Sequence, residues 1–145
     1  MCTVIPKREF ENPLTTEKDM IVYKVGFKHR YYSGVKEIWA MKSRYESFLY
    51  IPGVLNTAEM TYGYDESWSD IEEEMYYYFL VDNDEGARFV IKGFHSLSTA
   101  DAVRCDYALH SNMSFGKFTI PAGSKYHLNR AGNVVSNQII FNKFL

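Results

Sequence analysis

Apolar residues recur along this chain mostly at the short spacing that is typical of strands. Residues 20–26 form a β-branched run that ends at a glycine, a pattern typical of a first strand. Comparable runs occupy residues 88–94 and 115–120, and residues 134–141 close the chain with a further run. Breaks rich in glycine, asparagine and proline separate these runs. The pattern therefore predicts an antiparallel or mixed sheet.

Helix signals appear in two places. Ser69 and Glu72 have the spacing of a capping box, and apolar residues four apart follow them, although residues 75–81 are equally typical of a strand. Ser98 is a candidate N-cap for a second helix over residues 99–110. Together with the strands, these signals predict the α+β class, with one or two short helices packed on the sheet.

The chain is predicted to fold as one domain that follows a short arm. Residues 1–19 contain two prolines among mixed charges, so they are predicted to form a flexible N-terminal arm. Residues 20–145 contain no repeat or linker and predict a single α+β domain, which suits a chain of 145 residues. Within it, residues 27–35 read as a loop or hairpin that turns at Ser33-Gly34, and residues 36–64 favour neither helix nor strand.

Aromatic content is the unusual feature of the composition. The chain has 12 Tyr, 10 Phe and 2 Trp, and such rings suit strand surfaces, protein interfaces and base-stacking platforms. The net charge is −2, but residues 65–85 hold nine acids and no base, whereas residues 86–145 hold seven bases and two acids. A duplex nucleic-acid binder would be more basic overall, so a small anionic ligand is the favoured partner.

The sequence carries no signal for a membrane or for an oxidising compartment. No run approaches the roughly 18 consecutive apolar residues that span a bilayer, and the first 19 residues are polar. Cys2 and Cys105 do not make a disulfide framework. We therefore predict a cytoplasmic protein without a membrane partner, in host cytoplasm if a phage encodes it.

Motifs for catalysis, metals and cofactors are missing from the sequence. The four histidines and two cysteines lack metal-ligand spacing, and neither a nucleophile elbow nor a glycine-rich phosphate loop occurs. The sequence therefore predicts no catalytic residue, no metal site and no cofactor, and favours a protein that is not an enzyme.

Bases, aromatic rings and hydroxyls are interleaved in three segments, which is the chemistry that nucleotides require. Arginine can grip a phosphate in a bidentate fashion, and tyrosine can stack on a base. Arg30, Lys125 and Arg130 are candidate phosphate contacts, while Tyr31 and Tyr126, with Phe94, are candidate stacking rings. The candidate ligand-binding residues are Lys24, Arg30, Tyr31, Phe94, His95, Ser98, Arg104, Lys125, Tyr126 and Arg130.

Four short motifs suggest a family. They are "VYKV" at residues 22–25, "GFH" at 93–95, "IPAGSKY" at 120–126 and "VSNQI" at 135–139. This pattern resembles small proteins of bacteriophages and gut bacteria that carry no established activity. Some phage proteins of this kind are anti-defence factors, such as the Thoeris anti-defence sponges, which sequester a nucleotide immune signal. By that analogy, the resemblance implies a non-catalytic sponge for a cyclic nucleotide or an ADP-ribose derivative.

Two other functions remain open. The first is a structural or interaction protein that assembles through its Tyr-rich surface, which agrees with a predicted homo-oligomer. The second is an enzyme like the ADP-ribosyltransferases, which need a glutamate near a late strand. Residues 107–145 contain no acid, and this departs from that pattern. Tyrosines around a concave basic pocket would favour the sponge, and tyrosines on a flat patch would favour assembly.

Overall fold

The structure, a computed structural model, describes residues 3–43, 48–63, 79–82, 88–101, 113–128 and 132–145. Almost all elements in these residues are strands. In chain order they are β1 (Thr3–Pro6), α1 (Lys7–Phe10), β2 (Leu14–Thr15), β3 (Met20–Ser33), β4 (Lys36–Ser43), β5 (Leu49–Tyr50), β6 (Leu55–Thr57), β7 (Thr61–Gly63), β8 (Phe79–Asp82), β9 (Arg88–Lys92), β10 (Phe94–Leu97), β11 (Ser114–Ile120), β12 (Lys125–Leu128), β13 (Asn133–Ser136) and β14 (Gln138–Phe144).

These strands form two sheets. The larger has ten strands in the order β2-β12-β13-β10-β3-β11-β14-β6, and β4 and β5 branch from β3. The smaller has four strands in the order β1-β8-β9-β7. Within the described ranges, β1 and β8 are the one parallel pair, and the other pairings are antiparallel.

Strand β3 organises the larger sheet because it changes partners along its length. Residues 20–26 pair with β11, and residues 26–33 pair with β4. Gly26 lies at the change-over and is buried. A Cβ built on Gly26 would lie only 2.6 Å from the backbone oxygen of Lys42. The close approach of β3 and β4 therefore depends on the missing side chain.

The hydrophobic core lies on one face of the larger sheet. Phe118 and Val22 are register partners on β11 and β3, so their fully buried side chains share that face. The Phe118 ring packs 5.1 Å from the Tyr50 ring and 4.9 Å from the Phe141 ring. The buried core residues are Val22, Met41, Tyr50, Phe94, Phe118, Ile120, Val134, Ile139 and Phe141.

The predicted α+β class, with helices packed on a sheet, is wrong. The described residues are nearly all antiparallel sheet, and they include no helix of seven or more residues. Serine caps mark only where a helix can begin, and the period-two burial of aromatic and β-branched residues dominates here. Of the helix predicted after Ser98, Ala100 and Asp101 are helical, and the Ser98 backbone N–H donates to the Gly132 carbonyl in the loop before β13. Residues 64–78 and 102–110, where most of both predicted helices fall, lie outside the described residues.

The predicted strands are confirmed, and one hairpin is longer than expected. β11 matches a run in the sequence, and residues 20–26 are the first half of the 14-residue β3. The runs 88–94 and 134–141 are each divided in two, between β9 and β10 and between β13 and β14. The turn predicted at Ser33-Gly34 is shifted by one residue, because Ser33 pairs with Lys36 and the loop is Gly34-Val35. Gly34 has a φ of 67°, which suits the first central position of a primed hairpin turn. Within the segment predicted as an arm, β1 pairs with β8 and β2 pairs with β12.

Candidate functional site

The predicted ligand residues are distributed over separate parts of the larger sheet. Lys24 lies half-buried on β3, and its ammonium donates a hydrogen bond to the backbone oxygen of His95 on β10. The same ammonium lies 5.5 Å from the centroid of the Tyr50 ring. Lys24 therefore links two strands beside the core, and its charge is already engaged within the protein.

Two other predicted ligand residues, Phe94 and Ser98, also pack against other parts of the protein. Phe94 is 7% exposed and packs in the core, with ring centroids 6.1 Å from Phe48 and 6.3 Å from Tyr50. Its ring has no free face for stacking on an external ligand. Ser98 lies against Gly132, where an added Cβ would meet the Ser98 hydroxyl at 2.8 Å. Arg104 and Arg130 lie outside the described residues.

Lys125 and Tyr126 lie on β12, next to the edge strand β2. Lys125 is exposed, whereas Tyr126 is half-buried and packs against the core. Tyr126 also borders an open groove of about 460 Å³ between the β2–β3 connection and β12. The residues that line it are Thr15, Thr16, Glu17, Lys18, Asp19, Met20 and Tyr126. Two acids and one lysine do not make this groove basic.

Arg30 and Tyr31 lie on a different feature, which we call the β3–β4 arm and define as residues 27–39. Within the described residues, 27–33 of β3 pair only with β4, and 36–40 of β4 pair only with β3. The arm is thus a two-stranded ribbon about 20 Å long. Most of its residues are exposed, and at its turn Val35 is fully open to solvent.

One side of the arm gathers charged and aromatic side chains, and we call it the tryptophan face. Arg30 is the register partner of Trp39, and Tyr32 is the partner of Glu37, so these side chains project from the same side. The Arg30 guanidinium lies 5.3 Å from the Trp39 ring centroid, and its Nε lies 3.1 Å from a Glu37 carboxylate oxygen. The tryptophan face comprises Lys28, Arg30, Tyr32, Glu37 and Trp39.

The rings on this face are exposed although they are large. Tyr32 is 62% exposed and Trp39 is 46% exposed. The site analysis of the sequence missed Trp39, because residues 36–64 showed no clear periodicity. The turn predicted at Ser33-Gly34 would pair Arg30 with Glu37, whereas the observed loop at Gly34-Val35 pairs Arg30 with Trp39, so a shift of one residue in the turn hid this contact.

The "IPAGSKY" motif forms a turn that is fastened to the β2–β3 connection. Gly123 has a φ of 85°, which matches the third position of a type II turn that starts at Pro121. Thr16 Oγ1 donates to the Pro121 carbonyl at 2.9 Å and accepts from the Ser124 N–H at 3.0 Å. Asp19 accepts from the Ala122 N–H at 2.9 Å. The motif therefore has a structural role in this chain.

Thr16→Val is expected to lower the free energy of unfolding by about 1–3 kcal/mol, because it removes these hydrogen bonds from a buried site while keeping the side-chain shape. Urea unfolding followed by circular dichroism measures the change. Thr15→Val, one residue earlier and exposed, is the matched control and should change little. Equal stability of both variants would contradict a fastening role for Thr16.

His127 is a buried titratable group on β12. Its residue is 5% exposed, and its ring stacks on Phe10 of α1 with centroids 5.3 Å apart. Its Nε2 has no hydrogen-bond partner among the described residues. Burial lowers the pKa of His127 below its ordinary value of 6.5, and the Glu9 carboxylate and a hydrogen bond with the Phe10 backbone oppose that shift.

The protein is therefore expected to lose stability as the pH falls through the region of the His127 pKa. Between the lowered pKa of His127 in the folded state and its unfolded value of 6.5, the unfolded chain binds more protons than the folded protein. The stability that neutral His127 contributes is therefore complete above pH 6.5 and is lost as the pH falls below that value. His127→Phe keeps a stackable ring without a proton. As the pH is lowered from about 7.5 to about 5.5, the melting temperature of His127→Phe should fall less than that of the native protein. His29→Phe, at an exposed position, is the control, and a parallel pH profile for His127→Phe would contradict the assignment.

Neither a metal cluster nor a membrane helix is found in the described part of the chain. No group of three or more His, Cys, Asp or Glu there can hold a metal ion. No helix within the same ranges is long and apolar enough to cross a membrane. Comparisons with protein-family models, curated proteins and solved structures found no match to this chain. The site is therefore argued from its own geometry.

Proposed function

We propose that this protein is a non-catalytic binding protein that recognises an anionic partner through the tryptophan face of the β3–β4 arm. The observation that carries the proposal is the cation–π contact of the Arg30 guanidinium with the exposed Trp39 ring, with exposed Tyr32 on the same side. Trp, Tyr and Arg are the residues that most often dominate binding energy at interfaces.

The position of these side chains favours recognition over a role in stability. An exposed ion pair such as Arg30–Glu37 contributes little to folding, and an exposed cation–π contact adds only a modest amount. Large aromatic rings that are exposed to solvent on a ribbon are typical of a surface that a binding partner covers. The arm is an open two-stranded ribbon with mostly exposed residues, so it suits an extended or macromolecular partner better than a small enclosed ligand.

Retention of the protein on immobilised heparin tests the proposal with a defined polyanion. The double variant Arg30→Ala/Trp39→Ala should elute at clearly lower salt than the native protein, because it loses both the charge and the ring. Lys143→Ala removes an exposed base from β14, which pairs with neither strand of the arm, and serves as the control. Both variants should keep the native melting temperature. Equal elution of the double variant and the control would overturn the proposal.

A nucleotide-like small ligand is the second candidate, and the groove beside β12 favours it. Its volume of about 460 Å³ is in the range of small-molecule sites, and it places Tyr126 near Lys18. Sequestration of a phosphorylated immune signal, as in the anti-defence sponges, would use Lys18 in the lining of this groove, together with Lys125, which precedes the lining residue Tyr126 on β12. The groove has one lysine and two acids in its lining, so its ligand would need few phosphate contacts.

Thermal melting against nucleotides, cyclic nucleotides and ADP-ribose tests this second candidate. A ligand at a hundredfold excess over its Kd would add about 2.7 kcal/mol to the free energy of unfolding. Lys18→Ala/Lys125→Ala should abolish the shift, while Arg30→Ala should leave it unchanged. The ligand should be recovered intact. Absence of a shift across the panel would remove the groove as a nucleotide site, and chemical alteration of the ligand would indicate an enzyme.

A further inference from the structure

We infer that the partner of the β3–β4 arm is single-stranded nucleic acid, an assignment that rests on the proposed function of the arm. The tryptophan face places exposed aromatic rings and cations side by side on one ribbon. Proteins that bind single strands combine these same two features, because the rings stack on bases while the cations follow the backbone.

The charges on the arm suit a polyanion. Residues 27–39 contain three Lys or Arg and one acid, which gives a net charge of +2 with histidine neutral. The single acid, Glu37, is paired with Arg30. Lys28 and Arg30 are alternate residues of β3, so their side chains project from the same face about 7 Å apart. The Lys28 ammonium lies 5.4 Å from the Phe144 ring centroid, at the base of the arm. Lys28 and Arg30 therefore lie in a line along the tryptophan face, while Lys36, the register partner of Ser33, projects from the other side of the ribbon.

The rings on the arm supply what an acidic protein partner would not require. Tyr32 and Trp39 lie on neighbouring strands of the same face, and both are largely open to solvent. Every base has a π-face, so two exposed rings bind a single strand with little regard for its sequence. The Arg30 guanidinium lies 5.3 Å from the Trp39 ring centroid, so a cation stands beside the stacking surface.

A duplex fits this surface less well. Duplex binders present a broad basic surface, and this chain has a net charge of −2. Duplex bases are also already stacked on each other, so they cannot use Tyr32 and Trp39 as platforms. A single strand with unstacked bases can use both, and its affinity then depends less on charge.

Fluorescence provides a direct test, because the chain has two tryptophans and one of them is on the arm. In a Trp68→Phe background, Trp39 is the sole indole reporter. Labelled oligothymidylate of about a dozen nucleotides, a duplex of equal length and polyglutamate are the probes, with anisotropy as the binding measurement.

The single strand should bind most tightly and should quench Trp39 emission. Tyr32→Ala should weaken its binding by about tenfold, since one stacking contact is lost. Lys28→Ala should reduce the slope of log K against log salt by about 0.7.

The outcomes separate a failure of the nucleic-acid assignment from a failure of the proposed function of the arm. Tight single-strand binding with quenching, unchanged in Lys143→Ala, supports both. Binding of polyglutamate as strong as that of the single strand, without quenching, overturns the nucleic-acid assignment but leaves the arm as a site for an acidic protein. Tighter duplex binding also overturns the assignment. If the native protein binds no anionic probe at low salt, both the assignment and the proposed function fail.

Discussion

Replacing Phe118 with alanine is expected to lower the free energy of unfolding by about 3–5 kcal/mol. The Phe118 side chain is fully buried, and its ring contacts the Tyr50 and Phe141 rings at centroid distances of 5.1 and 4.9 Å. The substitution removes the apolar area of the ring and also leaves a cavity, because neighbours in a packed sheet relax only in part. Chemical denaturation at neutral pH measures the change.

A graded series separates core packing from other causes of the Phe118 effect. Phe118→Leu refills much of the space and should cost clearly less than Phe118→Ala. Tyr32→Ala removes an aromatic ring that is 62% exposed on the arm, so it should leave the free energy of unfolding nearly unchanged. If Phe118→Ala cost no more than Tyr32→Ala, Phe118 would not lie at the centre of the core.

Strand positions were the most predictable part of the fold. Residues 20–26, 115–120 and 134–141 carry β-branched and aromatic residues between turn signals. The first two runs lie in β3 and β11, whereas the third is divided between β13 and β14, all in the larger sheet. The signals for helices were weaker in kind, because a serine cap such as Ser98 is compatible with a loop as well as a helix. Ala100 and Asp101 after Ser98 are helical, and most of the helix predicted there lies outside the described residues. The Ser98 backbone N–H bonds to the Gly132 carbonyl, a partner 34 positions away that no local pattern shows.

The candidate site was less predictable because it depends on register and burial. Arg30 and Tyr31 were predicted as a base beside a ring, but the ring that Arg30 contacts is Trp39, on the next strand, and Tyr31 projects from the other side of β3. Phe94 and Lys24 have suitable chemistry for a ligand, yet the sheet places one in the core and engages the other with the His95 backbone. Side-chain type indicates what a residue can bind, whereas the tertiary fold decides whether it is available.

Gly26→Ala is expected to destabilise the protein by about 2 kcal/mol or more, although strand preference alone predicts a gain from this substitution. A Cβ at Gly26 would lie 2.6 Å from the Lys42 carbonyl oxygen and 2.8 Å from Met41 Cγ. The first obstacle is backbone that belongs to β4, so it cannot move aside as a flexible side chain can. Strands β3 and β4 would have to separate where the arm begins. Thermal and chemical denaturation measure the loss.

Gly34→Ala provides the contrast that identifies the mechanism. Gly34 has a φ of 67° with open space around it, so alanine there meets backbone strain but no steric clash, and we expect a cost of about 1 kcal/mol. Gly26→Ala meets the clash, and its effect should be the larger of the two. Because Gly26 joins the arm to the sheet, Gly26→Ala should also elute from heparin at lower salt than the native protein. Gly34→Ala should elute at the native salt concentration. A stabilising Gly26→Ala would show that strand preference outweighs the close approach of β3 and β4.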